Sequence, residues 1–339
     1  MSDIAALDID LSQYPVYNQC NLFLKEASAV DKKVYCFVDD VIWTLQELHS
    51  QRPASIFEQH FLKNLKIAHE RYGAKFQLNL FYRTDFYYGH NEFTLADMTD
   101  AYREEFTAAS DWLKFSFHSK QEFPDYPFVN ATYEDTKAIF QEIRDQVFRF
   151  AGENSFGYGV TPHWGPLSKA ACLALRDCGV KVMWCSSGNK CPYDGDPNIL
   201  PYGHAGRLLQ NRQTETMLFT RVTKDAAITR SFCGYNHISE ETAEAIQGTL
   251  QTVLDAETGI RFKPLEGGGV IINLVKDEEV EHLIGEKLGD EFVCLTTHEQ
   301  YSYPNYFAYQ PTHAARILRA CELVARNGYE FIYFEELGK

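Results

Sequence analysis

Two carboxylates stand side by side at the end of an apolar run, Val34-Tyr35-Cys36-Phe37-Val38-Asp39-Asp40. Adjacent like charges cost energy unless something uses them. At the carboxyl end of a buried parallel strand, consecutive side chains point to opposite faces, so one carboxylate can hold a metal while its neighbour faces a reacting water. Three further apolar runs end in histidine: Trp112 to His118, Phe156 to His163, and Phe292 to His298. That recurrence is the main functional signal, because carboxylate and imidazole are the side chains that ligate metals and move protons.

Other residues qualify as substrate contacts. Tyr82-Arg83 closes a further apolar run and suits a carboxylate or phosphate group. His163-Trp164 and His298-Glu299 lie at strand ends. His204, Arg207 and Arg212 concentrate imidazole and positive charge in an otherwise acidic chain and suit an anionic pocket. Each also has a structural reading. Adjacent aspartates make turns and helix caps, an aromatic-flanked histidine packs in cores, and a basic loop cluster forms salt bridges.

The elements that must carry these side chains alternate strand and helix. Apolar runs at 34–40, 75–81, 112–118, 156–163, 180–185, 228–237, 270–274, 292–298 and 329–334 read as strands. Between them, helical spacing covers Ser55 to Tyr72, a stretch capped at Thr94, 133–150, 168–178, 240–255 and 312–326. This pattern belongs to the α/β class and predicts a distorted (β/α) barrel of about seven or eight parallel strands. The whole of 1–339 is read as one such domain. Between 187 and 225 the alternation gives way to Gly, Pro, Asn and Asp, as a long inserted loop region after strand five.

Composition narrows the partners. The net charge of −15 argues against nucleic acid or an anionic membrane as the main partner, and 45% hydrophobic with 23% charged residues fits a globular protein. The first 20 residues carry no basic, apolar leader, and no run reaches the roughly 20 apolar residues a bilayer span needs. Nine cysteines without a CxxC pair suit a reducing compartment. A cytoplasmic protein acting on a small molecule or oligosaccharide is expected, with a homo-oligomer left open.

The residues at the strand ends resemble the NodB-type polysaccharide deacetylases of the glycoside hydrolase/deacetylase barrel superfamily, as a divergent member. Phe37-Val38-Asp39-Asp40 is similar to the family's aromatic-x-Asp-Asp turn, with Val41 where the family has Gly. Phe117-His118-Ser119 is similar to its His-Ser strand end. Four residues on, the family's second His is replaced by Glu122. Thr161-Pro162-His163-Trp164-Gly165 occupies the place of its Pro-rich groove wall, and Leu295-Thr296-Thr297-His298 is similar to its final strand. The likeness covers about 33–186 and 292–337.

The resemblance implies a hydrolase that removes an N-acyl group, N-acetyl first, from a carbohydrate. Asp39 would be the base, His298 the acid, and Asp40 and His118 metal ligands, with Glu122 or His163 as the third and Asp125 within reach. The metal would be one divalent ion, zinc before manganese or magnesium. Tyr82, Arg83, His163, Trp164, His204, Arg207 and Glu299 form the substrate-binding set. Two other readings stay open: a metal-free glycoside hydrolase using a carboxylate pair among Asp39, Glu122 and Glu299, and a catalytically inactive carbohydrate-binding barrel.

Overall fold

The computed structural model describes residues 31–84, 92–122, 127–128, 131–165, 167–185, 240–265, 269–273 and 275–338. Strand β1 (Lys33–Val41) is its axis. Val34 to Val38 are all buried, as expected of a strand covered on both faces. β2 (Phe76–Phe81) and β3 (Leu113–Ser119) extend the sheet on one side, and β9 (Phe292–His298) and β8 (Val270–Ile271) on the other. β10 (Glu330–Ile332) pairs with Lys33–Tyr35, just before β2 takes over at Cys36.

A second ladder contains β4 (Gly159–Val160), β5 (Val182–Cys185) and β7 (Arg261–Pro264), with the short β6 (Val253–Leu254) antiparallel at its end. The other strand ladders among the described residues are parallel. The bridge Phe115↔Phe156 and the bond from His163 N–H to the His118 carbonyl join β3 to the segment around β4. The strands thus run β8-β9-β1-β2-β3-β4-β5-β7, a curled, mostly parallel sheet of the barrel type. Among the described residues no ladder joins β7 to β8.

Helices flank this sheet: α1 (Trp43–Gln51), α2 (His60–Tyr72), α3 (Arg103–Ala109), α4 (Tyr133–Phe150), α5 (Lys169–Asp177), α6 (Glu240–Ile246), α7 (Asp277–Lys287) and α8 (His313–Arg326). Three depart from the sequence pattern: Thr94 precedes only a 3-10 turn, Leu95–Asp97, and α3 starts later, at Arg103. Ser55 caps only a 3-10 turn, and α2 begins after Gln59, whose side chain accepts from Leu62 N–H. The helix expected over 240–255 stops at Ile246, because Gly248 takes a φ of 74° and the chain turns into β6. The inserted region at 187–225 and the strand expected at 228–237 lie outside the described residues.

Inside the curl, the end opposite the strand termini is apolar. Tyr35, Phe37, Val182, Leu265, Phe292, Cys294, Ile332 and Phe334 form one buried cluster. Tyr35 stacks on Phe334 at 4.7 Å between ring centroids. Gly159 lets the Phe334–Glu335 segment approach, since a Cβ there would fall 2.6 Å from Glu335 N. The opposite rim is where the strand-end carboxylates and imidazoles gather.

Candidate metal centre

The rim owes its shape to two bulges. Along β1 and β2 the register passes from Val38↔Leu78 to Val41↔Leu80, so Asp39 and Asp40 together oppose Asn79. Along β2 and β3 it passes from Leu80↔Phe117 to Phe81↔Ser119, which leaves His118 as the extra residue. Bulges re-aim side chains that a regular pleat would send elsewhere. Asp40 also holds a left-handed φ of 62°, a conformation that non-glycine residues adopt at a cost. Instead of pointing to opposite faces, Asp39 and Asp40 both reach the His118 imidazole, at 3.6 Å from Nδ1 and 3.1 Å from Nε2.

Asp40, His118 and His163 are the group that could hold a cation among the described residues, their ligand atoms all within 4.8 Å of one another. His163 Nδ1 is 3.0 Å from His118 Nε2 and 3.4 Å from Asp40 Oδ1. The far side of each ring faces a carbonyl: His118 Nδ1 donates to Thr161 O at 2.6 Å, and His163 Nε2 to Glu122 O at 2.8 Å. Those partners assign the tautomers, so both neutral rings turn a lone pair inward. Three acceptors then converge on one point, and a cation is what such an arrangement fits. Carbonyls that fix the outer nitrogen of a ligand histidine are the usual support of a metal site.

The surroundings reinforce this. Phe81 packs against both imidazoles, at 5.4 Å from His118 and 5.0 Å from His163, and keeps water from their apolar side. Burial works against charge on Asp40; when His118 carries a second proton, its Nε2–H donates to Asp40, and that bond and the charge on the neighbouring histidines hold the carboxyl well below the usual carboxylate range, whereas a cation would take that proton's place between neutral rings. Two imidazoles and a carboxylate suit zinc and also harder divalent ions.

Asp39 has a different environment. Asn79 Nδ2 donates to its Oδ1 at 2.7 Å and Thr161 Oγ1 at 3.3 Å. Burial pushes its carboxyl up to about 6, with Asp40 adding to the rise and His118 opposing it. In register opposite Asp39 is His298, whose Nε2 lies 3.9 Å from Asp40 Oδ2. Its Nδ1 meets Asn273 Oδ1 at 3.1 Å, which turns Nε2 toward the rim.

The remaining candidates divide. The structure brings Asp39, Asp40, His118, His163 and His298 together. Glu122 is buried, but it meets His163 through its main-chain carbonyl and its carboxylate is not in the convergent group, so of the two alternatives His163 is the one present. Trp164 lies 5.9 Å from the His163 ring and holds a φ of 65°. Tyr82 is engaged by Glu142 and Arg83 Nε donates to Gln121 Oε1. Asp125, His204, Arg207 and Arg212 lie outside the described residues.

Glu299 corrects the expectation of a substrate contact. It is fully buried, and its carboxylate accepts the main-chain N–H groups of Ile42, Trp43 and Thr44, the last at 3.1 Å. These are donors at the start of α1, which has no cap of its own because its first flanking residue is Ile42. Burial pushes the Glu299 carboxyl up to about 7, against the pull of those donors. It is therefore not available to a carboxylate pair across a cleft.

From the sequence, neither Asn79 nor Asn273 is singled out, and Thr161 enters only within the groove-wall stretch. A signal existed for Asn79: β2 is buried throughout, so a polar residue in it requires a partner.

No family model matches the chain, and no curated protein sequence matches it. Solved structures do. A 4-alpha-glucanotransferase from Thermococcus litoralis superposes with a TM-score of 0.50 at 10% identity, over 90% of this chain and 40% of that one. The likeness is one of fold. The chain spans 40% of that enzyme's length. A putative polysaccharide deacetylase from Mycobacterium smegmatis matches with a TM-score of 0.43 at 10% identity, over 88% of this chain and 86% of that one. A family 4 acetyl xylan esterase from Clostridium thermocellum, in complex with a cobalt ion, matches with a TM-score of 0.37 at 12% identity, over 90% of each chain. The reading of the site rests on its own geometry.

Proposed function

We propose that the protein is a metal-dependent hydrolase that removes an acyl group, N-acetyl first, from a carbohydrate. The observation that carries this is the convergence of Asp40 Oδ1, His118 Nε2 and His163 Nδ1 at 3.0 to 3.4 Å, with both ring tautomers held by carbonyls. A divalent ion bound there supplies Lewis acidity toward the acyl carbonyl and toward water.

The protein's residues divide the proton work. Asp39, held on one oxygen by Asn79 and Thr161 and raised to about 6, remains mostly ionised at neutral pH and accepts the proton of the attacking water. His298, oriented by Asn273, presents Nε2 on the other side of Asp40 and gives a proton to the departing amine. Water adds across the amide, and acid and amine leave. Trp164, beside His163, offers an aromatic face for a sugar ring.

Elemental analysis together with acetate release from N-acetylated and O-acetylated oligosaccharides tests the reading. About one equivalent of divalent metal is expected, lost in Asp40→Ala and His118→Ala along with acetate release. A protein that takes up neither zinc nor manganese and releases no acetate refutes it.

A further inference from the structure

We infer that Glu299 is a positioning residue that sets the Asp39–Asp40 turn in place against His298. This rests on reading Asp40, His118 and His163 as cation ligands. The turn is the least regular piece of β1, with a register shift and a left-handed φ of 62° at Asp40. Such a conformation persists only where its surroundings over-determine it. Upstream, the β-ladders provide that constraint. Downstream, the chain enters α1 through Ile42, which has no side-chain acceptor for the first helical N–H groups.

Glu299 supplies the missing acceptor from 257 residues away. One oxygen takes both Ile42 N–H and Trp43 N–H, and the other takes Thr44 N–H at 3.1 Å. Each is a charge-assisted bond to a helix N-terminus when the group is ionised. The same residue follows His298 directly, so one carboxylate links the strand end bearing the acid to the turn bearing the base and a ligand. Among the described residues no other position is shown bonding to all three of these N–H groups.

Zinc affinity, measured by competition with a chromophoric chelator, separates this role from a merely structural one. Glu299→Gln keeps the shape but sets an NH2 against N–H donors, and we expect it to weaken zinc binding about tenfold or more. Leu48→Ala serves as the control. It empties a fully buried site at the far end of α1 and costs stability without touching the turn, so zinc affinity stays within about twofold of the parent. Should Glu299→Gln not fold, Glu299→Asp keeps the charge, shortens the reach by one methylene and carries the same expectation.

Unchanged affinity in the Glu299 variant, or equal weakening in Glu299 and Leu48 variants, overturns the proposal while leaving the metal site standing. A parent protein that binds no zinc, manganese or cobalt removes the site reading and the proposal together.

Discussion

The rim and the floor of the barrel are built from the same strands and obey different rules. At the floor, β1 is regular, and Tyr35 stacks with Phe37 and with Phe334 among apolar neighbours. At the rim the same strand bulges, twists into a left-handed residue and ends among histidines. Regular packing at one end allows irregular backbone at the other, because a local cost of roughly 1–3 kcal/mol persists only where the rest of the fold outweighs it. Stability and chemistry are thus separated along a single strand.

The comparison breaks most readily at the ligands. His163→Ala should abolish cation binding, whereas Glu122→Ala, which keeps the carbonyl that orients His163, should retain it; elemental analysis of the two variants reads the difference. If Glu122→Ala lost the metal and His163→Ala kept it, the assignment of the third ligand would be reversed.

The floor should show the converse. Phe334→Ala removes a fully buried ring and should cost about 3–5 kcal/mol in denaturant unfolding while cation affinity is kept. Loss of affinity in proportion to stability would show that rim and floor are not separable.

A smaller effect probes the shell between them. His313 is buried at the start of α8, with Thr297 Oγ1 at 2.5 Å and Ser302 Oγ at 2.6 Å from its ring nitrogens, and burial pushes its pKa down to about 3. The unfolded chain takes up a proton near pH 6.5 that the folded ring refuses, so this contribution is intact above that pH and is lost as pH falls toward 3. The loss is on the order of 5 kcal/mol at most. His313→Gln should flatten the pH dependence of the melting temperature across that window; an unchanged slope would place the acid sensitivity elsewhere.

Much of this was legible in the residues. An apolar run ending in Asp-Asp or His combines burial with a group that burial penalises, so the ends of β1, β3 and β9 could be found from local pattern alone. The α/β alternation was equally local. What escaped depends on distant partners. The start of α1 could not be read because its cap is Glu299, and the same fact turned an apparent substrate residue into a structural one. The bulges at Asp39–Asp40 and His118 exist only in the pairing with β2, so the side of the strand each residue faces could not be counted from sequence. The contact between Glu122 and His163 likewise runs through a main-chain carbonyl that any residue type provides.

The pairing of β1 with β9 also has a kinetic consequence. The central strand meets one of its two long neighbours only after most of the chain has been made, so contacts across this seam have large sequence separation and form slowly. Until β9 arrives, β1 presents an open apolar edge at Val34 to Val38, the kind of template that captures other chains. Refolding yield should therefore fall steeply with protein concentration, and rapid dilution should favour recovery of the native protein over aggregation.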